Sequence, residues 1–286
     1  MACSLVIYVV LGYNLLTMSF EQAPVPTLEI DLSPETYYES SGLREVLTAD
    51  QFNLMWELAH LGYGEGNYHN FAHAVDTFRR AMEWADYYES QGVNINRKVL
   101  AAATLFHDDG YPVKPFGMKE DYSAELFAEG AEHFGFSEEE TAQVQRVILD
   151  TKLGERPTTA EGVIMVMSDI GNTGGIYETD FMPNNDRFRA EKKAEAIEAG
   201  KEFNDDQFDD DAIVIISKYL LSIQNGPLDV SKFTHDAVMN LLRYAEKASQ
   251  ARGIGLREYL MTVKSVATDN SGVNQLLLRH LLRLEP

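Results

Sequence analysis

The chain has 286 residues, of which 45% are hydrophobic and 24% charged, enough apolar material for the core of one domain or at most two. This composition excludes collagen-like, low-complexity and wholly disordered proteins. Lys and Arg number 24 against 45 Asp and Glu, so the formal net charge is -21. Such a surface repels duplex nucleic acid and anionic lipid, and any phosphate group must be attracted by local positive charge. The single cysteine, Cys3, excludes an intrachain disulfide and fits a reducing compartment such as the cytoplasm.

The first 40 residues are predicted to be an extension ahead of the main domain. Residues 4–18 are mostly apolar, but Gly12 and Asn14 interrupt them and they fall short of the roughly 20 residues that span a bilayer. No Lys or Arg precedes this stretch, so it lacks the basic start of a secretory signal. More ordinary polar sequence begins at Met18. Three interpretations stay open: a start-site extension or packed apolar strand, which we favour, a membrane anchor, or a signal.

From residue 41 onward the hydrophobic periodicity is helical almost throughout, and no convincing β-alternation is present. We predict an all-α domain over residues 41–286, with the motifs in a core at 48–195 and additional C-terminal helices at 196–286. Gly92 and Gly135 are the expected stop signals of the second and fourth helices. The predicted helices cover residues 48–60, 70–91, 97–108, 119–134, 137–151, 158–170, 238–245 and 273–281, and capping-box spacing opens those that start at 48, 137 and 158.

Three segments have a less clear pattern. Residues 171–186 are rich in Gly and Asn, and we predict a loop there. Residues 204–211 form an acidic run, which we interpret as a loop or the solvated start of a helix rather than an ion-binding site. Residues 163–167 are five consecutive apolar residues and are compatible with a short strand or with a helix buried on most sides.

The placement of histidines is the feature that points to chemistry. His69 and His73 are four residues apart in the sequence YHNFAHAVD, so on a helix they lie one turn apart on one face. His107 continues the inward stripe of the helix predicted at 97–108, so its imidazole should point into the core. Asp108, turned by about a hundred degrees on that helix, can share a ligand with His107 only near the helix end.

Asp169 follows the apolar run closely, and a buried carboxylate is unfavourable unless it is paired or binds a metal. Taken singly, a buried His is more often a satisfied core residue, and such an Asp is often a helix cap or an ion-pair partner. Together, two imidazoles and two carboxylates on three inward-facing helices make a mixed set of nitrogen and oxygen ligands. We therefore predict a site for one or two divalent ions (Mn, Mg, Zn, Ni or Fe) with the ligands His73, His107, Asp108 and Asp169.

The order of these residues resembles the H…HD…D pattern of the HD-domain metal-dependent phosphohydrolase superfamily. Tyr68-His69-Asn70, followed by His73, also looks like the motif of cyclic-nucleotide phosphodiesterases and their small bacterial HD relatives. The segments VQRVILDTK and FRAE (188–191) are similar to further segments of these relatives. The resemblance covers about residues 48–195. It implies an HD-type helical bundle and hydrolysis of a small phosphorylated substrate: a phosphate ester, a nucleotide or a cyclic nucleotide.

The resemblance also implies roles for single residues. Water activated by the metal would attack phosphorus, and Asp108 could bridge two ions, since a carboxylate has two oxygens. His69 is the candidate general acid, because imidazole titrates near neutral pH; the alternative is a hydrogen-bond partner of the ligands. Lys152 is the candidate cation for the phosphoryl oxygens, with a solvated surface lysine as an equal alternative. Asn70 is a further candidate substrate-binding residue.

The sequence departs from the phosphodiesterases in two places. They carry a further His three residues after the His-Asp pair, where this chain has Tyr111, and no glutamine that clamps a purine can be placed. The substrate therefore cannot be copied from them. His133 could supply an extra metal ligand, although a surface or packing role is favoured. Two other functions stay open: a non-catalytic HD-fold module that binds nucleotide or metal, and an HD-type iron oxygenase, which would need extra His ligands.

Overall fold

In the computed structural model, residues 33–112, 118–266, 276–277 and 279–280 are described. Within these ranges the chain forms eleven α-helices joined by loops and short turns and contains no β-strand, so the all-α prediction is confirmed. None of the described helices combines the length and the apolar character needed to cross a membrane. The apolar stretch at 4–18 and most of the helix predicted at 273–281 lie outside the described residues. The helices are α1 (Pro34–Ser40), α2 (Ala49–Gly62), α3 (Phe71–Glu89), α4 (Arg97–Phe106), α5 (Lys119–Gly130), α6 (Glu138–Leu149), α7 (Ala160–Asp169), α8 (Met182–Glu198), α9 (Asp205–Ile223), α10 (Ser231–Ala251) and α11 (Leu256–Val266).

Two of the predicted capping boxes are present. The Thr48 side chain accepts the backbone N–H of Gln51, and the Gln51 side chain accepts the N–H of Thr48 at 3.0 Å. Ser137 and Glu140 make the same reciprocal pair at the start of α6. Each box satisfies two backbone donors that no helix carbonyl can reach, so short-range sequence fixes these helix starts.

The capping box predicted at 158–161 is wrong. Thr159 is the N-cap of α7 and accepts the N–H of Gly162. Glu161 instead accepts the backbone N–H of Asn96 at 2.7 Å, just before α4. The carboxylate that a local capping box would have used is thus engaged in a tertiary contact. This contact links α7 to α4.

The loop predicted at 171–186 is wrong for most of its length, because the segment forms short helical turns and then the start of a helix. Short turns occupy Gly171–Gly174 and Tyr177–Phe181, and α8 begins at Met182. Pro183 suits the first turn of α8, because its fixed φ is helical and its missing N–H would have no partner there.

The acidic run at 204–211 forms the start of α9, as one of its two interpretations predicted. Asn204 is the N-cap and accepts the N–H of Gln207 at 3.0 Å. Asp205 and Asp206 follow in the first turn, where the helix dipole favours negative charge.

Helix α7 lies at the centre of the domain and packs against α3, α4, α6 and α9. The residues of the ambiguous run at 163–167 are all completely buried, so the run is a core helix rather than a strand. Asp169 is the last residue of this helix. The burial of α7 therefore positions that carboxylate against the neighbouring helix ends.

An aromatic cluster holds α2 against α3. Trp56 meets Phe71 edge-to-face at 5.2 Å between ring centroids, and Phe78 at 6.3 Å. Tyr37 of α1 stacks on Trp56 at 5.2 Å. Because Phe71 is the first residue of α3, this packing fixes the connection 63–70 that carries His69.

Asp150 is a buried carboxyl group between α6 and α7. Its nearest cation is Arg146, 2.9 Å away and half-exposed. Gly162 on α7 faces it so closely that a Cβ there would lie 2.1 Å from Asp150 Oδ2. Burial raises the pKa of Asp150 to about 6, although Arg146 acts in the opposite direction. The ionised group therefore destabilises the folded chain.

We expect Asp150→Asn to raise the free energy of unfolding at about pH 7.5 by on the order of 2 kcal/mol. The folded pKa exceeds the reference value of 3.8, so wild-type stability falls as the pH rises from that value to about 6. The gain should be largest above pH 6 and vanish near pH 4. Denaturant unfolding at both pH values checks this, with the exposed Asp236→Asn as control; an equal effect at the two pH values would contradict it.

Candidate metal centre

Three helix ends bring the four predicted ligands together. His73 lies in the first turn of α3, His107 follows the last residue of α4 with Asp108 after it, and Asp169 ends α7. One ligand atom from each of the four residues lies within 4.8 Å of all the others. His73 and Asp169 are 96 residues apart in the chain, so the tertiary fold alone assembles this group.

The distances within this cluster suit a common ion. His73 Nε2 is 3.1 Å from Asp169 Oδ1 and 3.5 Å from Asp108 Oδ2. His107 Nε2 is 3.1 Å from Asp108 Oδ2 and 3.4 Å from Asp169 Oδ1, and the two Nε2 atoms are 3.4 Å apart. An ion about 2.1 Å from each ligand atom needs ligand atoms roughly 3–4 Å apart. The group could therefore hold a metal ion.

The imidazole of His107 is oriented for ligation. Its Nδ1 lies 2.9 Å from the carbonyl oxygen of Thr104, which can only accept a hydrogen bond. A proton on Nδ1 therefore has an acceptor, and Nε2 is the nitrogen that faces the cluster. His107 is 1% exposed, so the ring has no freedom to turn away.

The charges of the cluster are strongly coupled. Burial raises the pKa of Asp108, but His107 and His69 outweigh it and bring the value to about 2. Burial also acts against ionisation of Asp169, yet hydrogen bonds from His107 and His73 hold its pKa well below the usual range. Burial lowers the pKa of His107, while the two aspartates raise it well above 6.5. Two carboxylates thus stay ionised and require positive charge between them.

A second pair of side chains adjoins the cluster. His69 Nε2 is 4.0 Å from Asp108 Oδ2, and His69 Nδ1 hydrogen-bonds to the carboxylate of Glu191 on α8. The other oxygen of Glu191 accepts the backbone N–H groups of Tyr68 and His69, each at 2.9 Å. Burial raises the pKa of Glu191, but these bonds lower it to about 2. The ionised carboxylate keeps a proton on Nδ1 and leaves Nε2 directed at Asp108.

Sequence reasoning assigned no role to Glu191. It is 122 residues from His69, and no local pattern announces the contact. The signal that could have identified Glu191 was its place in the segment FRAE (188–191), which is part of the family resemblance. An acidic residue on the helix after the last aspartate was therefore a candidate partner for the histidine of the Tyr-His-Asn motif.

A cavity of about 150 Å³ opens beside the cluster, bordered by His69, Asp108 and Asp169. Most of its surface is apolar or aromatic, with side-chain amides among the lining groups. The described lysines at its wall are Lys119 and Lys192. The remaining lining includes Tyr68, Tyr111, Phe181, Phe188, Ile215, Ile216 and Tyr219.

Two other candidates occupy different places. Lys152 donates a hydrogen bond to Asp121 at 2.6 Å and is absent from the described lining of the cavity, which agrees with the surface-lysine alternative. Asn70 is the N-cap of α3: its oxygen accepts the N–H of His73 at 3.1 Å, and its amide donates to the carbonyl of Gly66 at 2.8 Å. Asn70 thus positions His73, and substrate binding by either residue stays a prediction.

His133 is exposed on the turn after α5 and is not part of the four-residue cluster. It therefore adds no ligand to the cluster that the described residues form.

Comparison with known proteins gives no assignment: no family model matches the chain, and no curated protein matches it.

We expect His73→Ala and Asp169→Ala to reduce bound divalent metal to about a tenth of the wild-type amount or less, because each removes one ligand. Elemental analysis after dialysis against Mn²⁺ measures this, with circular dichroism to confirm the helical content. His60→Ala is the matched control, since His60 is exposed and stacks on Phe71 at 4.5 Å. A ligand variant that keeps the wild-type amount of metal would contradict the assignment.

Proposed function

We propose that the chain is a metal-dependent phosphohydrolase of the HD-domain superfamily that cleaves a small phosphate ester, a nucleotide or a cyclic nucleotide. The observation that carries the proposal is the position of His69, a proton-donating group 4.0 Å from Asp108 at the edge of a cluster that could hold a divalent ion. The resemblance of the Tyr-His-Asn and His-Asp motifs to that superfamily supports the same assignment.

The four clustered residues would hold the ion at the wall of the cavity, to which Asp108 and Asp169 are open. A divalent ion bound there lowers the pKa of coordinated water and polarises a phosphoryl oxygen. His107 and Asn70 keep the site rigid, the first through Thr104 and the second by capping α3. Rigid ligands limit the rearrangement that the reaction would otherwise require.

His69 is suited to give a proton to the leaving oxygen. Its Nε2 faces the Asp108 side of the cavity, while Glu191 holds the opposite nitrogen. The bond to Glu191 holds the ring so that Nε2 is the nitrogen left to exchange a proton with a ligand in the cavity. Tyr111 stacks on the ring at 3.6 Å and fixes its plane.

The two alternative functions have less support. A module without turnover would have no need for the His69–Glu191 pair, which takes no part in the four-residue ligand cluster. An iron oxygenase on this scaffold would need further histidine ligands, and the candidate for that role, His133, is exposed and outside the cluster.

We expect His69→Ala to slow the hydrolysis of a cyclic nucleotide or another ester with an alkoxide leaving group by roughly 10²–10⁴-fold without loss of bound metal, because the alkoxide must be protonated as it leaves. Glu191→Gln should give a smaller loss, about tenfold, since the ring stays in place but its supporting charge is removed. Product release in the presence of Mn²⁺ measures both; bis(4-nitrophenyl) phosphate, whose leaving group departs without a proton, should respond much less.

His133→Ala is the control and should hydrolyse the ester at the wild-type rate. A His69→Ala protein at full rate would refute the acid role. A wild-type protein that binds Mn²⁺ but hydrolyses neither 4-nitrophenyl phosphate, its diester nor any of a panel of nucleotides and cyclic nucleotides would refute the proposed function.

A further inference from the structure

Lys119 is a buried lysine that makes no ion pair with the described residues. It is 8% exposed, yet no carboxylate of the described part of the chain lies within ion-pair distance of its ammonium group. Burial lowers the pKa of Lys119 and the nearby Lys192 lowers it further, although the more distant carboxylates of Glu195, Asp108 and Glu191 act in the opposite direction. An ammonium group removed from water is unfavourable unless an anion compensates it. In a chain of net charge -21, an unpaired lysine at the wall of the cavity is an uncommon arrangement.

The ring of Tyr111 separates Lys119 from the acid imidazole. His69 stacks on the ring at 3.6 Å between centroids, and the Lys119 ammonium lies 2.9 Å from the same centroid. A stacked imidazole leaves no room for an ammonium group on its own face, so Lys119 must lie on the other face. The imidazole of His69 and the ammonium of Lys119 therefore lie on opposite faces of Tyr111.

Lys192 lies at the hydroxyl end of the Tyr111 ring, also at the wall of the cavity. Its ammonium donates to the hydroxyl of Tyr111 and to Glu195 at 2.9 Å, and it lies 5.1 Å from the Tyr111 centroid. Glu195 is 45% exposed, and an exposed pair of this kind contributes little. Breaking the pair with Glu195 therefore costs little free energy, and Lys192 can turn toward an anion in the cavity.

We propose that Lys119 and Lys192 form a subsite for a second phosphate group, so that the substrate carries two phosphoryl groups: one at the His73–His107–Asp108–Asp169 cluster and one beyond Tyr111. This rests on the proposed function, because it takes the cluster as the place of the reacting phosphoryl group. Lysine binds phosphate as a compact point charge, and in an acidic protein such a pair selects for the ligand with the added anion.

A subsite for a second phosphate group is distinct from a role of Lys119 at the reacting phosphoryl group. If Lys119 neutralised the phosphoryl group beside Asp108, every phosphorylated ligand would depend on it equally. On the far face of Tyr111 it should matter only for a ligand that carries a second anion.

The test compares two probes by isothermal titration calorimetry with the Mn²⁺-loaded full chain. Methylenediphosphonate carries two phosphonate groups and methylphosphonate carries one. Lys119→Met should weaken methylenediphosphonate about tenfold or more and methylphosphonate less than twofold, since a charge-assisted contact is lost for the first ligand alone. Lys192→Met should act in the same direction. Lys119→Arg, which keeps the charge, should stay close to wild type.

Lys193→Met is the matched control, an exposed lysine of α8 that is absent from the described lining of the cavity and should change neither affinity. An equal loss for both probes, no loss for either, or no binding of methylenediphosphonate by the wild type would overturn the inference. The readout is binding, so it stands apart from turnover: a protein that shows the expected affinities but hydrolyses nothing would retain the subsite and lose the proposed function.

Discussion

The structure depends on one concentration of charge: two ionised carboxylates that share a partly buried corner with two imidazoles. Asp108 and Asp169 cannot both stay ionised there without compensating positive charge. The fold supplies this corner by ending α4 and α7 at the same point. Carboxyl ends of helices carry partial negative charge, so the two helix dipoles add to the carboxylates and favour a cation. His73, from the start of α3, completes the group.

Three further side chains surround His69 beside this corner. Glu191 supports His69 from behind, Tyr111 covers the imidazole, and Lys119 lies on the outer face of that ring. An anionic ligand would thus meet cationic groups along one side of a cavity whose other walls are largely apolar.

Local patterns predicted more of the fold than of the site. The boxes at Thr48 and Ser137 follow from residues three apart, and the inward direction of His107 follows from helical period alone. The four clustered residues could be predicted as a group because they follow the order of a known motif, H…HD…D. Contacts without such a pattern were not predicted. The pairing of Glu191 with His69, the use of Glu161 by Asn96 and the place of Lys119 at the cavity wall depend on which helices pack together.

The central claim is that these four side chains bind one common cation, and anomalous diffraction from a crystal grown with Mn²⁺ tests it most directly. The account predicts a strong peak about 2.1–2.2 Å from Nε2 of His73 and His107 and from a carboxylate oxygen of Asp108 and Asp169. A peak that contacts none of these atoms, or no peak at this corner in a crystal saturated with the ion, would contradict it.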